Sequence, residues 1–186
     1  MKKTIWKALI YIISLVALQL LVGKIPISSY FYKMVLSAGV VMFVCSPVVF
    51  KLMSLKGGSL YFGVYSILVC VIYTAMGFWY VGIYMLVAGI LGALLMRSSQ
   101  SEFKRQLLGW TVYSGLFTGM SILPVWCFWE DYSAKALANG MTAEHLQTYY
   151  DYYTSIPMLA AIVTIAAGFG CVGMILSRAV LGKKKP

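Results

Sequence analysis

The sequence predicts an all-α integral membrane protein, a bundle of six transmembrane helices with both termini in the cytoplasm. Six apolar runs are present, each near the roughly 20 residues that span a hydrocarbon core of about 30 Å. Apolar residues make up 61% of the 186-residue chain and charged residues only 11%, with a mean hydropathy of +0.86. The basic residues lie between the runs, where they set orientation. We therefore expect a single membrane domain over residues 1–186.

The apolar runs give the helix positions in order. The first run follows a basic N-terminus like a signal peptide, but it is long and lacks a small-x-small cleavage site, so we expect a retained helix. Only Met76-Gly77-Phe78 separates the third run from the fourth, which requires a tight hairpin. Pro124 predicts a kink at the outer end of the fifth helix. We place the helices at about 5–23, 34–53, 59–76, 78–96, 106–129 and 156–181.

Orientation follows from the basic residues. With the N-terminus inside, all but three of the 15 Lys and Arg residues fall on the cytoplasmic side, as the positive-inside rule requires. The three outside are Lys24, Lys33 and Lys135. The net charge of +10 is thereby explained by topology, and a nucleic-acid-binding role, which needs a clustered soluble basic face, is disfavoured.

The segment between the fifth and sixth helices, residues 130–155, is predicted to be a structured extracellular lid. Asn139-Gly140 marks a turn, and Thr142 two residues before Glu144 marks a short helix start. Tyrosines are concentrated in this segment beside acidic residues. A lid over aromatic walls suits a flat, apolar ligand with a few polar groups.

Small residues four apart recur within the later runs and predict close helix packing, either within the bundle or against a partner subunit. These pairs are Ala88-x-x-x-Gly92, Gly89-x-x-x-Ala93, Gly115-x-x-x-Gly119 and Ala166-x-x-x-Gly170.

Several kinds of chemistry have no signature here. The chain lacks a phosphate-binding Gly-x-x-x-x-Gly-Lys-[Ser/Thr] loop and a His-Glu-x-x-His pair, and it has one histidine, His145. Its four cysteines are scattered singly, as in apolar helix interiors. We expect neither an enzyme nor a resident metal or cofactor. His145 is either a lid-surface residue or a contact to a bound cofactor such as an axial ligand of haem iron.

Motifs in the second half of the chain resemble a known family. Residues Ser101-Glu-Phe-Lys-Arg-Gln-Leu-Leu-Gly-Trp-Thr-Val-Tyr-Ser114, Ile122-Leu-Pro-Val-Trp126 and Asp131-Tyr132 are similar to the Trep_Strep (MptD-type) family. Its members are regarded as S-components, the substrate-binding membrane subunits of energy-coupling factor (ECF) importers, which are bacterial ABC transporters. The motif-level resemblance covers about residues 97–182, and the first half matches in hydropathy and length.

The resemblance implies an S-component-like fold in the bacterial plasma membrane. Such a protein captures a substrate outside and docks on a transmembrane coupling subunit driven by two cytoplasmic ATPases. S-components usually present an Ala-x-x-x-Ala face on the first helix for docking, and this chain departs from it. Either Ala8, Ser14 and Ala17 form a looser docking face, or docking uses another helix.

The substrate implied is a small planar cofactor-like molecule: a vitamin, a pterin-like compound or haem. Aromatic side chains would stack on its ring, while Lys24, Lys33 or Lys135 could bind a carboxylate. The predicted pocket consists of Trp79, Tyr84, Trp126, Trp129, Tyr132, His145 and Tyr149.

Two other classes remain open. A membrane interaction or assembly protein without a small ligand would disperse the outer aromatic residues around the lipid-facing perimeter. A membrane enzyme would bring Asp131, Glu144 and His145 within hydrogen-bond reach near a pocket. A channel or exporter is disfavoured, because the runs lack strongly polar residues at mid-span.

Overall fold

A computed structural model describes residues 2–23, 29–97 and 102–182, and the described residues form helices and turns with no strand. A π-helical turn, Tyr32–Leu36, leads directly into α2. The helices are α1 Lys2–Gly23, α2 Ser37–Met53, α3 Gly58–Ala75, α4 Trp79–Met96, α5 Glu102–Phe117, α6 Gly119–Cys127, α7 Trp129–Ala138, α8 Ala143–Thr154 and α9 Ile156–Leu181.

Five helices are long and apolar enough to cross a membrane: α1, the π turn with α2, α3, α4 and α9. A sixth candidate span is the bent pair of Phe103–Cys127 and Trp129–Ala138, whose parts meet at 105°. The nearly all-helical fold with five to six candidate spans is as predicted. The helix ends agree with the predicted positions within a few residues, and α9 agrees at both ends.

The fifth predicted helix differs in detail. It divides into α5 and α6 at Thr118, whose amide and hydroxyl donate to the Gly115 carbonyl at 3.3 and 2.7 Å. These bonds reach back three residues, which is a tighter winding than the α-helical pattern. The expected kink at Pro124 is not at that residue, which lies inside α6. The sharp bend comes at Phe128, where φ of −140° and ψ of 32° leave the helical region.

The predicted lid contains two helices, α7 and α8, joined at the turn that was expected. Gly140 adopts a φ of +87° there, in the left-handed region that favours glycine. Thr142 caps α8 as predicted, since its hydroxyl accepts a hydrogen bond of 3.2 Å from the His145 amide. We refer to α7 and α8 together as the cap.

The long helices close into a ring in the order α1, α2, α9, α5, α4, α3. The tight α3–α4 hairpin turns at Gly77, where φ is +87°. Lys135 of α7 donates to the Gly77 carbonyl at 2.8 Å. The cap is therefore fastened to the same end of the bundle as this hairpin.

Small residues let neighbouring helices approach within the bundle, one of the two packing roles predicted for them. A Cβ on Gly89 of α4 would overlap the Ser66 side chain of α3. A Cβ on Gly170 of α9 would overlap the Ser114 hydroxyl of α5. Both serines are buried and donate to carbonyls of their own helices, so their polar atoms are satisfied at the contact.

The two ends of the bundle differ in chemistry. At one end Lys51 donates to the Leu181 carbonyl at 3.5 Å, and the Arg178 guanidinium lies 4.2 Å from the centre of the Phe103 ring. We call this the basic end. At the opposite end, the aromatic end, the cap and the α3–α4 hairpin bring tyrosine and tryptophan rings together.

Candidate functional site

A cavity of about 360 Å³ opens at the aromatic end. Its walls come from the second half of α1, the π turn and the start of α2, the end of α3, the α5–α6 junction and the end of α8. The volume lies within the roughly 300–1,000 Å³ of small-molecule sites. Most of the lining is apolar, and its polar members include Gln19, Tyr32, Lys33, Tyr73, Thr118 and Ser121.

The deep side of the cavity is fixed by a buried polar chain. The Gln19 amide nitrogen donates to the Tyr65 hydroxyl, and this hydroxyl lies 3.2 Å from that of Tyr113. Both tyrosines are fully buried in the bundle, and the Tyr113 ring stacks on Trp110 at 5.6 Å. Because these rings cannot move without disturbing the core, Gln19 is held in one orientation against the cavity.

Lys33 is the cationic residue of the cavity wall. It belongs to the π-helical turn, a rare widening of the helix that is frequent at functional sites. Its ammonium lies 5.8 Å from the centre of the Tyr30 ring, and within the described ranges it has no hydrogen bond or ion pair. Lys135, by contrast, pairs with Asp131 at 2.7 Å.

The cap is pinned over the cavity by hydroxyl groups. Tyr153, which lines the cavity, donates to the Met34 carbonyl in the π turn at 3.1 Å. Tyr149 donates to the Ser121 carbonyl of α6 at 2.9 Å. Burial raises the pKa of the Tyr153 hydroxyl to about 12 and that of Tyr149 well above its ordinary value. Both phenols therefore remain protonated donors at neutral pH.

Three of the predicted site residues meet in the cap. The Tyr132 and Tyr149 rings stack at 5.3 Å, and Trp129 lies 6.1 Å from Tyr132. None of the three lines the cavity. Tyr149 is the nearest to it, because its hydrogen-bond acceptor, Ser121, is part of the wall. The cluster forms a layer that adjoins the cavity through Tyr153, which lines the wall and whose ring centre lies 4.6 Å from that of Tyr149.

Trp79, Tyr84 and Trp126 lie apart from this layer. Trp79 is 50% exposed and packs edge-on against Phe128. Trp126 is 56% exposed, although its indole donates to the Tyr153 carbonyl at 2.8 Å. Tyr84 and Trp126 line a separate open groove of about 500 Å³ on the outer surface of α4, α5, α6 and α9.

His145 lies at the start of α8 with its ring 5.4 Å from that of Tyr30. Partial burial, and then the charge of Lys33, lower the pKa of its imidazole below the ordinary value. His145 is not among the residues lining the cavity. In the described part of the chain no hydrogen bond joins His145, Glu144 and Asp131, the polar set of the enzyme alternative.

The predicted docking residues on α1 face different ways. Ala8 is buried at 1% exposure, so it does not reach the outer surface. Ser14 is half-buried and donates to the Ile10 carbonyl at 2.8 Å, while Ala17 is exposed. The outer surface of α1 is instead built from large apolar side chains such as Trp6 and Ile13. Lys24, one of the three outer lysines, lies outside the described residues.

Sequence reasoning named Lys33 as a ligand contact but missed most of the residues that form the cavity, above all Gln19, Tyr73 and Tyr153. One signal was available for Gln19, since it is a side-chain amide within an otherwise apolar run. Tyr73 and Tyr153 carry no comparable signal, because tyrosines at membrane interfaces are common.

Comparison with known proteins gives one match. A family model described as hypothetical bacterial integral membrane protein (Trep_Strep) matches residues 3–185, nearly the whole chain. The chain belongs to the Trep_Strep family. This match confirms the predicted resemblance to the Trep_Strep family and the prediction of a bacterial integral membrane protein. No curated protein and no solved structure matches this Trep_Strep protein.

Proposed function

We propose that the chain is the substrate-binding S-component of an ECF-type ABC importer. It captures a small planar cofactor-like molecule outside the bacterial plasma membrane and passes it to a coupling subunit powered by two cytoplasmic ATPases. The observation that carries the proposal is the cavity of about 360 Å³ beneath the cap at the aromatic end. Membership of the Trep_Strep family supports it through the motif resemblance.

The cavity has the composition of a recognition site for a flat organic molecule. Such sites combine apolar walls with a few placed polar groups that fix orientation. Here Val41, Val69 and Phe117 contribute apolar surface, while Gln19 and Lys33 supply polar contacts. The cap aromatics, Tyr149 and its neighbours, then act in this proposal as a layer that shields the ligand from water.

The proposed orientation places the aromatic end outside. Lys51, Arg97 and Arg178 gather at the basic end, where the positive-inside rule expects the cytoplasm. Both termini would then be cytoplasmic, and the cavity would open outward. Docking on the coupling subunit would use the broad apolar outer surface of α1, which has Trp6 and Ile13 exposed.

Haem is a less suitable cargo for this cavity than a smaller planar molecule. An axial ligand must reach the iron, and His145 lies outside the cavity wall beside Tyr30. The phenols of Tyr32 and Tyr73 do reach the wall and are the available alternative ligands. The protein has no proposed cofactor of its own.

One observation supports the alternative that the chain is a membrane interaction or assembly protein. Trp79 and Trp126 are exposed on the perimeter of the bundle, as that alternative requires. Tyr132, Tyr149 and Tyr153 converge over the cavity instead, which favours a ligand-binding protein.

Affinity purification from the native membrane tests the proposal. We expect the tagged chain to bring down a transmembrane coupling subunit and two ATPases in mild detergent, identified by mass spectrometry. An Ile13→Glu variant should lose these partners while remaining folded, because Ile13 is exposed and makes no core contact; Val180→Glu, equally exposed on α9, is the matched control. Recovery of the chain alone, or equal recovery with both variants, would contradict the proposal.

A further inference from the structure

Two side chains of the cavity wall, Lys33 and Gln19, keep polar atoms that no described residue pairs with. The Lys33 ammonium makes no hydrogen bond or ion pair to any described residue, and the residue is held on the cavity wall by the π turn. Lys135, by contrast, forms an ion pair with Asp131 within α7. Lys33 is thus a cation on the wall of a mainly apolar cavity, which suits an anionic ligand group.

Gln19 offers a second and different kind of contact. One amide atom is engaged by Tyr65, and Tyr65 is in turn fixed by Tyr113. The remaining carboxamide oxygen and the second N–H have no hydrogen-bond partner within the part of the chain that the structure describes. A carboxamide in this state presents one donor and one acceptor side by side. The donor and acceptor of Gln19 are complementary to the C=O and N–H of a lactam or ureide.

We propose that the cavity binds a planar aromatic carboxylate that also bears a lactam or ureide edge, with Lys33 holding the carboxylate and Gln19 the neutral edge. The proposal rests on the proposed function and specifies its substrate class. The two contacts come from different elements, the π turn and α1, so a ligand must carry both groups to satisfy both. Apolar residues between them, such as Val41 and Val69, contact the ring faces.

The lactam edge supplies selectivity of a kind that apolar walls cannot. A ligand without the complementary edge would cover the part-buried Gln19 amide without pairing it, which is disfavoured because a polar group that loses water and gains no partner costs free energy. A charge-assisted hydrogen bond contributes about 1.5–3 kcal/mol, so losing the carboxylate should weaken binding about 10- to 100-fold.

Three commercial probes separate these contributions. Pterin-6-carboxylate carries both groups, 6-hydroxymethylpterin carries only the lactam, and quinoxaline-2-carboxylate carries only the carboxylate. Binding to the purified full chain in detergent is measured as the shift of the thermal midpoint and by isothermal titration. We expect pterin-6-carboxylate to bind at least about 10-fold more tightly than either partial probe.

Two variants test whether Lys33 causes the preference for a carboxylate and Gln19 the preference for a lactam. Lys33→Gln should remove the preference for pterin-6-carboxylate over the alcohol, and Gln19→Met should remove the preference over the quinoxaline. Lys104→Gln and Gln147→Met are the matched controls, because Lys104 is exposed on α5 away from the cavity and Gln147 contacts Asp151. Midpoints measured without probe show that each variant is folded.

Three results would overturn the inference: no binding of pterin-6-carboxylate, equal affinity for all three probes, or preferences that survive both cavity variants. The failure of this inference is distinguishable from failure of the proposed function. If the chain recruits the coupling subunit but binds all three probes alike, the site formed by Lys33 and Gln19 is refuted and the importer proposal stands. If the chain discriminates among the probes but does not recruit the coupling subunit, the proposed site stands and the importer proposal is refuted.

Discussion

Removing the Tyr153 hydroxyl should loosen the cap. This group donates to the Met34 carbonyl at 3.1 Å and joins the end of α8 to the π turn across the cavity. A net hydrogen bond contributes about 0.5–1.5 kcal/mol, so Tyr153→Phe should make opening of α8 about 2- to 13-fold more frequent. The ring and its packing on Tyr149 are retained, which confines the change to the hydrogen bond.

Hydrogen–deuterium exchange of α8 measures this opening. Amides of α8 should exchange faster in Tyr153→Phe by that factor, while amides of α4 are unchanged, because exchange reports local opening. Tyr150→Phe is the matched control: Tyr150 lies in the same helix, is 36% exposed, and its hydroxyl has no hydrogen bond to the described residues. Equal exchange in the two variants would refute the idea that Tyr153 pins the cap.

Two further predictions concern packing and protonation. Gly170→Leu should destabilise the bundle by about 1–3 kcal/mol because it collides with Ser114, whereas Gly168→Leu, with open space at its Cβ position, should leave the thermal midpoint in detergent unchanged. By NMR, the pKa of the His145 imidazole should lie below its ordinary value, because partial burial and the Lys33 charge both lower it, and Lys33→Gln should raise this pKa because a like charge is removed. An equal loss of stability in both glycine variants, or an unchanged His145 pKa in Lys33→Gln, would contradict these two arguments.

The helices were predictable because apolar length and turn chemistry are local properties. The α3–α4 hairpin follows from Gly77, and the start of α8 follows from Thr142. Each signal lies within a few residues of the feature it specifies. Local sequence also indicated that α4 and α9 each pack closely on a neighbouring helix, since their small residues are four apart; α4 packs on α3 and α9 on α5.

The cavity was not predictable, because it arises where five separate elements meet. Gln19 and Tyr73 are distant in sequence and become neighbours of one space only after α1 and α3 pack. The predicted aromatic residues were chosen because they lie toward the predicted outer ends of the runs or in the lid, which does not distinguish a perimeter residue such as Trp79 from a buried one such as Tyr149.

The bend after the fifth span also escaped sequence reasoning. Pro124 is the residue with an intrinsic reason to break a helix, yet the chain turns at Phe128. The stacking of the Phe128 ring on Tyr80, at 4.3 Å and 6°, accompanies that turn. This contact joins residues far apart in sequence, so no local pattern reveals it.

The central claim, that the cavity holds a small molecule, is tested most directly by native mass spectrometry and absorbance of the chain purified from its own membrane. We expect one bound small molecule per chain, absent from Ala38→Trp, which fills the cavity, and retained in Leu60→Trp, which is exposed on α3. A Soret band would identify that molecule as haem. An empty wild-type chain, or the same ligand in Ala38→Trp, would contradict the account.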